Sequence, residues 1–244
     1  MKALVRWCAL LACAVLCLQV FLLLRIASFS VISPESTSFE RSQVWQVLTR
    51  QGRLPWRQEW VDQNRISTSL KRAVMASEDS AFTQHHGIWW DSLEKAWGKN
   101  AKAKAQAERR AQRQGDAKPV EPKIVGGSTI TQQLAKNLFL SGERTLLRKA
   151  QEMVLTLELE LFLSKSRILE IYLNSVEWGE GVFGAEAAAQ HYFRKSASAL
   201  SAWESARLAV MLPRPRYFEQ RPQSPYLANR AEVIVGRMND VALP

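Results

Sequence analysis

Residues 7–24 read WCALLACAVLCLQVFLLL, an apolar run broken only by Gln19. A run of this length has few homes in water. At 1.5 Å per residue, about 20 helical residues cross a hydrocarbon core of roughly 30 Å. Arg25 follows and 26–32 is again largely apolar, so one transmembrane helix is predicted over 7–32. Lys2 and Arg6 precede the run, which favours a cytoplasmic N-terminus over 1–6. A cleaved signal would need a shorter apolar core and a small-residue cleavage site, and Ala27-Ser28-Phe29-Ser30 is a poor one. The reading is a retained anchor, a juxtamembrane segment over 33–64, and one exported domain over 65–244.

All three cysteines (Cys8, Cys13, Cys17) sit inside the apolar run. The exported part therefore has no disulfide framework and no cysteine metal site, and must rely on a packed core. The formal net charge is +10. Much of it lies between Lys95 and Lys123, where nine lysines and arginines face three carboxylates. A basic surface suits nucleic acid, anionic lipid or an anionic substrate. The anchor makes nucleic acid the poorest of these partners. Membrane lipid and pyrophosphate remain.

Beyond the anchor almost every periodic segment reads as helix, so the fold class is mainly α. Helices are predicted over 40–52, from Ser67 to Glu78, over 89–112, from Ser128 to Leu140, over 144–163 and over 165–174. Ser201-Ala-Trp-Glu204 has capping-box form and opens a helix that Pro213 ends, and Ser224-Pro225 opens the last one. Residues 98–123 read as a solvated basic segment, mobile after Gly115. Trp56 and Trp60 suit either a membrane interface or core packing. Gly179-Glu-Gly-Val-Phe-Gly184 matches GxGxxG in form, but it follows a helix and has no βαβ unit around it. A tight turn between helices is the better reading.

On the helix after Ser128, residues turn by about 100° each. Thr129, Gln133, Lys136 and Asn137 then share one arc, while Ile130, Leu134 and Leu138 point elsewhere. Its N-terminus, Gly126 to Thr129, would offer backbone N–H groups at the positive end of the helix dipole, a setting for phosphate. The plainer reading is a capped, half-exposed helix. Arg148 and Glu152 are four apart on the next helix. Alone they would be a surface ion pair of about 0.3–0.5 kcal/mol. Glu78 and Asp79 form a carboxylate pair able to divide acid and base roles, although Asp79 also suits a cap. His85 and His86 are adjacent and lack the i,i+4 spacing of helix-borne zinc ligands, so no metal ligands are assigned.

Five stretches, in order, resemble the bacterial peptidoglycan glycosyltransferase family. They are Glu78 to Gly87, Gly127 to Asn137, Arg148 to Glu152, Ile168 to Asn174 with its Gly179–Gly184 turn, and Glu204 to Ala209 with Pro213 downstream. The Gly127–Asn137 stretch, GSTITQQLAKN, is the most specific. No Ser-x-x-Lys nucleophile follows, so the resemblance is to the monofunctional branch. It implies a lysozyme-like helical lobe and a smaller membrane-facing jaw lobe, with the domain on the periplasmic side of the inner membrane. The implied substrates are lipid II and the growing glycan strand, joined by an inverting β-1,4 transfer that releases undecaprenyl pyrophosphate. Glu78 matches the family's base. Lys136 and Arg148 are assigned to the pyrophosphate, and Ser128, Thr129, Gln133 and Asn137, with Asp79 and Phe82, to substrate binding. Glu152 matches a second catalytic-site glutamate that orients Arg148 or a divalent ion, which leaves room for Mg²⁺ or Mn²⁺. His85 is expected to be structural. Cell-wall synthesis and division proteins are natural partners for such an enzyme.

Two other readings compete. A muramidase would use the same lobe and glutamate, but has no need of a cationic site. A membrane-anchored scaffold would leave the polar arcs idle.

Overall fold

A computed structural model describes residues 1–51, 56–114, 127–140, 142–143 and 145–244. The mainly α architecture read from the sequence is what the chain adopts. The first helix, α1 (Lys2–Ser28), is 27 residues long, or about 40 Å, enough to cross a bilayer. It stops at Ser28, and 29–32 turn away from it. Most of α1 is uncovered by the rest of the chain, but its last turns are not. Leu22, Ile26 and Phe29 are buried in the domain core. The Phe29 ring stacks on Phe139 at 6.1 Å, and Arg167 Nε donates to the Phe29 carbonyl at 2.8 Å. Arg167 also donates to Ser33 Oγ and pairs with Glu170.

Helix α2 (Ser38–Gln51) opens on a reciprocal cap: Thr37 N donates to Glu40 and Glu40 N donates to Thr37 Oγ1. The extended chain after it forms β1 (Arg57–Gln58), parallel to β3 (Val182–Phe183), which pairs antiparallel with β2 (Glu177–Gly179). The glycine turn therefore closes a small hairpin. Trp56 stacks on Phe183 at 4.6 Å and Trp60 packs against the core, so both tryptophans serve packing. Asn174, fully buried, accepts from Val61 N and donates to Val61 O, both at 2.9 Å. This tie holds the extended segment against the helix that carries Asn174.

Helix α3 (Thr68–Glu78) starts where Ser67 accepts from Leu70 N at 3.0 Å. It buries Leu70, Ala73, Val74 and Met75. Its partners are α9 (Ala202–Met211) and α11 (Pro225–Arg237), which also pack on each other. Burial of Leu70 alone contributes about 1.5–3 kcal/mol, and Leu70→Ala would cost about 2–5. A second group comprises α5 (Ile130–Phe139), α6 (Leu146–Phe162) and α7 (Lys165–Ser175), against which α1 and α2 lie. Helix α8 (Ala185–Phe193) follows the hairpin, and the short α10 (Pro215–Glu219) links α9 to α11.

Helix α4 (Trp90–Gln114) carries the helix expected over 89–112 two residues further. Residues 98–114, read as solvated, belong to this one helix of 25 residues. Their Ala, Lys, Gln and Arg content explains it, since these are strong helix formers. The expected mobile stretch from 115 to 123 lies outside the described residues.

Candidate active site

Glu78 is the last residue of α3, where the helix gives way to Asp79 in a non-helical conformation. It lies between two hollows and lines both. The smaller, about 110 Å³, is bounded by Asp79, Trp89, Ser92 and Gly127–Thr129. The larger, about 520 Å³, is walled by Gln133, Lys136, Arg148, Lys149 and Glu152, with Leu212 and Pro213 on another side. Ser77 and Ser128 line both.

Gln133 Nε2 donates to Glu78 Oε2 at 2.9 Å, and Tyr172 Oη donates to Gln133 Oε1 at 3.0 Å. The hydroxyl therefore fixes which end of the amide faces the carboxylate. Glu78 is half-buried, and burial pushes its pKa above the ordinary 4.5. Hydrogen bonds from Gln133 and Ser77 oppose that, the neighbouring Asp79 charge adds to it, and Arg230 on α11 lowers it. Tyr172 is fully buried, which raises its phenol well above the usual range and keeps it a donor.

Asp79 is buried and holds two partners. His85 Nε2 lies 2.9 Å from its carboxylate, and Ile130 N donates to Oδ2 at 3.0 Å. Thr129 caps α5 by accepting from Gln132 N, while Gln132 Oε1 accepts from Thr129 N. Thr129 Oγ1 also donates to the Gly87 carbonyl. The expectation of free N–H groups at this helix end needs correcting. Gln132, Asp79 and Thr129 take up the N–H groups of Thr129, Ile130 and Gln132. Gly126 lies outside the described residues. Gly127 passes close to α4: an added Cβ would lie 3.0 Å from Ala96 Cβ.

The cationic wall comes from α5 and α6. Glu152 is buried, accepts from Arg148 Nη1 at 2.9 Å and also pairs with Lys149. Arg148 Nε is buried with no protein partner among the described residues. Lys136 projects into the larger hollow, where desolvation lowers its pKa and Glu152 opposes the shift. Among the described residues no group of three His, Cys, Asp or Glu forms a metal cage. Glu152, the carboxylate that would face Mg²⁺ or Mn²⁺, is committed to two cations. The donor set does not fit a resident divalent ion.

The structure thus brings Glu78, Ser128, Gln133, Lys136, Arg148 and Glu152 to one cleft, with Asp79 and Thr129 on its smaller side. Two expected substrate-binding residues sit elsewhere. Phe82 is fully buried beneath Lys165, 4.5 Å from its ring centroid, and edges His85, so it is core. Asn137 is buried and lines neither hollow. His85 is buried between Phe82, Trp89 and Asp79, a structural setting. Sequence reasoning did not single out Lys149, Arg230 or the Tyr172 hydroxyl. Lys149 was visible as a third cation beside Arg148. The other two act on Glu78, Tyr172 through Gln133 and Arg230 by its charge, only because of tertiary packing.

Comparison with known proteins identifies the family. The family model described as Transglycosylase matches residues 46–239. The biosynthetic peptidoglycan transglycosylase of Burkholderia thailandensis is 49% identical over 247 residues, spanning 100% of this chain and 90% of that protein. Those of Janthinobacterium sp. (strain Marseille) and Herminiimonas arsenicoxydans are also 49% identical, each across 94% of this chain and 92% of the relative. With the match running through every helix that builds the cleft, the chain belongs to the transglycosylase family.

Proposed function

We propose that this enzyme polymerises lipid II into β-1,4-linked peptidoglycan strands with release of undecaprenyl pyrophosphate. The observation that carries the reading is one cleft with a half-buried carboxylate, Glu78, and a wall of three cations, Lys136, Arg148 and Lys149. Glu78 takes the proton from the 4-hydroxyl of the acceptor sugar. The oxygen attacks the anomeric carbon of the donor on the face opposite the pyrophosphate, and the bond to pyrophosphate breaks. The raised pKa of Glu78 makes it a stronger base than an ordinary carboxylate while Gln133 keeps it ionised and aimed. Lys136 and Arg148, steadied by Glu152, meet the charge that develops on the leaving group. A muramidase cutting neutral glycosidic bonds has no use for that wall.

The anchor and the domain act on the same membrane. Leu22 and Ile26 belong to the core, so removing α1 as a signal would strip core contacts, which supports a retained single-pass anchor. The catalytic domain then faces the periplasm from the inner membrane. The decisive experiment is lipid II consumption by full-length protein in detergent, with products on a sizing gel. Long strands from wild type and none from folded Glu78→Gln establish the reaction and its base. Shortening of preformed glycan with no synthesis would overturn it in favour of hydrolysis.

A further inference from the structure

Pro213 is a shared wall. On one side it bounds the cleft beside Glu78, and on the other it opens into a separate hollow of about 250 Å³. Three aromatic rings shape this second hollow. Phe218 is buried at its base, and Tyr226 lies parallel to it, 5.9 Å away at 5°. Tyr217 meets Phe218 edge-on at 5.2 Å. Tyr217 and Tyr226 remain 46% and 55% exposed. Arg221 lies 4.2 Å from the Tyr217 ring centroid, and Arg214 stands exposed on the wall.

The hollow is built rather than incidental. Pro215 and Pro225 each sit in the first turn of a helix, fixing the entry to α10 and α11. The rings are therefore carried on stiff elements. Tyr226 and Arg230 are four apart on α11 and share a face. Arg230 is close enough for its charge to act on Glu78. The aromatic hollow thus continues the line of the cleft.

The chemistry narrows the occupant. The faces of tyrosine rings are electron-rich, and the C–H bonds of a β-linked pyranose ring present a complementary positive surface. Arginines beside such rings recognise carboxylates through paired N–H donors. An acyl chain would match the rings but not the arginines. We infer that the hollow lined by Tyr217, Tyr226 and Arg214, with Arg221 over the Tyr217 ring beside it, binds glycan carrying carboxylate-bearing substituents, as an extension of the cleft beyond the sugars that react. The inference rests on the polymerase reading, since it takes the occupant to be the strand that the cleft makes.

The test uses full-length Glu78→Gln protein in detergent, so that nothing is turned over. It is titrated by calorimetry with short, lipid-free, uncrosslinked disaccharide-peptide oligomers. Tyr226→Ala and Arg214→Ala, each added to that background, should weaken binding about tenfold, and Tyr226→Phe should retain it. Matching melting curves confirm that the variants fold. Parental affinity in both alanine variants would overturn the assignment. So would displacement of the oligomer by a sugar-free prenyl phosphate that itself requires Tyr226, since that makes the occupant lipid. In protein with Glu78 intact, Tyr226→Ala should give shorter strands, and strands of parental length would count against it. If wild type makes no strands yet Tyr226-dependent oligomer binding persists, the polymerase reading fails and the glycan site stands.

Discussion

Gln133 Nε2 rests 2.9 Å from Glu78 Oε2 while its carbonyl accepts from Tyr172, 3.0 Å away. The amide cannot flip without losing both bonds, so the carboxylate always meets a donor on that oxygen. A donor favours the ionised form, and burial disfavours it. Because the net shift is upward, the acid limb of kcat/KM should lie above the ordinary carboxylate value of 4.5. Gln133→Ala removes the donor and should move that limb higher still. A pH profile of strand synthesis checks both, and a limb that moves down or stays put contradicts the relay.

Glu78→Gln should abolish synthesis by a factor of about 10²–10⁴ yet raise thermal stability at neutral pH. The sign follows from linkage. The folded pKa exceeds the unfolded one, so ionised Glu78 costs folding stability above the folded pKa. That cost fades as pH falls through the folded value and is gone below the unfolded one. Melting curves of wild type and variant should therefore converge in acid.

Arg148→Ala should lower kcat by about 10²–10³, in line with loss of a donor aimed at developing charge. Arg148→Lys should recover little, because the donors of one ammonium nitrogen cannot span Glu152 and the cleft as the planar guanidinium fork does. Glu152→Gln tests the steadying role: its effect should vanish in an Arg148→Ala, Lys149→Ala background. Full additivity would mean that Glu152 acts on substrate directly.

Helix α4 gathers Lys95, Lys99, Lys102, Arg109 and Arg110 within one sector of about 100°. Such a stripe suits anionic headgroups, each contact contributing about 1 kcal/mol near a charged leaflet. Neutralising Lys95, Lys99, Lys102, Arg109 and Arg110 together should weaken flotation with anionic vesicles and leave binding to zwitterionic vesicles unchanged. Anionic-vesicle binding unchanged from wild type would end the idea.

Gly184 has φ +84, and an added Cβ would lie 2.7 Å from the Asn174 carbonyl oxygen. Backbone cannot yield as a side-chain tip can. Gly184→Ala should cost at least about 2 kcal/mol, read as a melting point several degrees lower.

Much of this was legible in the chain. Period and capping residues located the anchor and the helices of the cleft, because i+3 and i+4 neighbours are local facts. Gln133, Lys136, Arg148 and Glu152 came from the same geometry together with a family resemblance. What stayed hidden depends on distant contacts. Asp79 fills the N-terminus of a helix 51 positions onward, which turned an apparent phosphate site into a structural joint. Phe82 carries no mark that separates a core ring from a binding ring. Arg230 and the pocket around Tyr226 appear only when α11 folds back beside α3.

The buried end of α1 sets the geometry of the reaction. Since Ile26 and Phe29 are core residues and Arg167 grips the backbone between anchor and domain, the segment behaves as a bracket, not a tether. On the retained-anchor reading proposed above, such a bracket fixes the height of Glu78 above the bilayer. An enzyme held this way meets lipid-borne substrate by lateral diffusion in a plane, so its turnover should follow substrate per unit area of membrane and be largely indifferent to the volume of fluid around it.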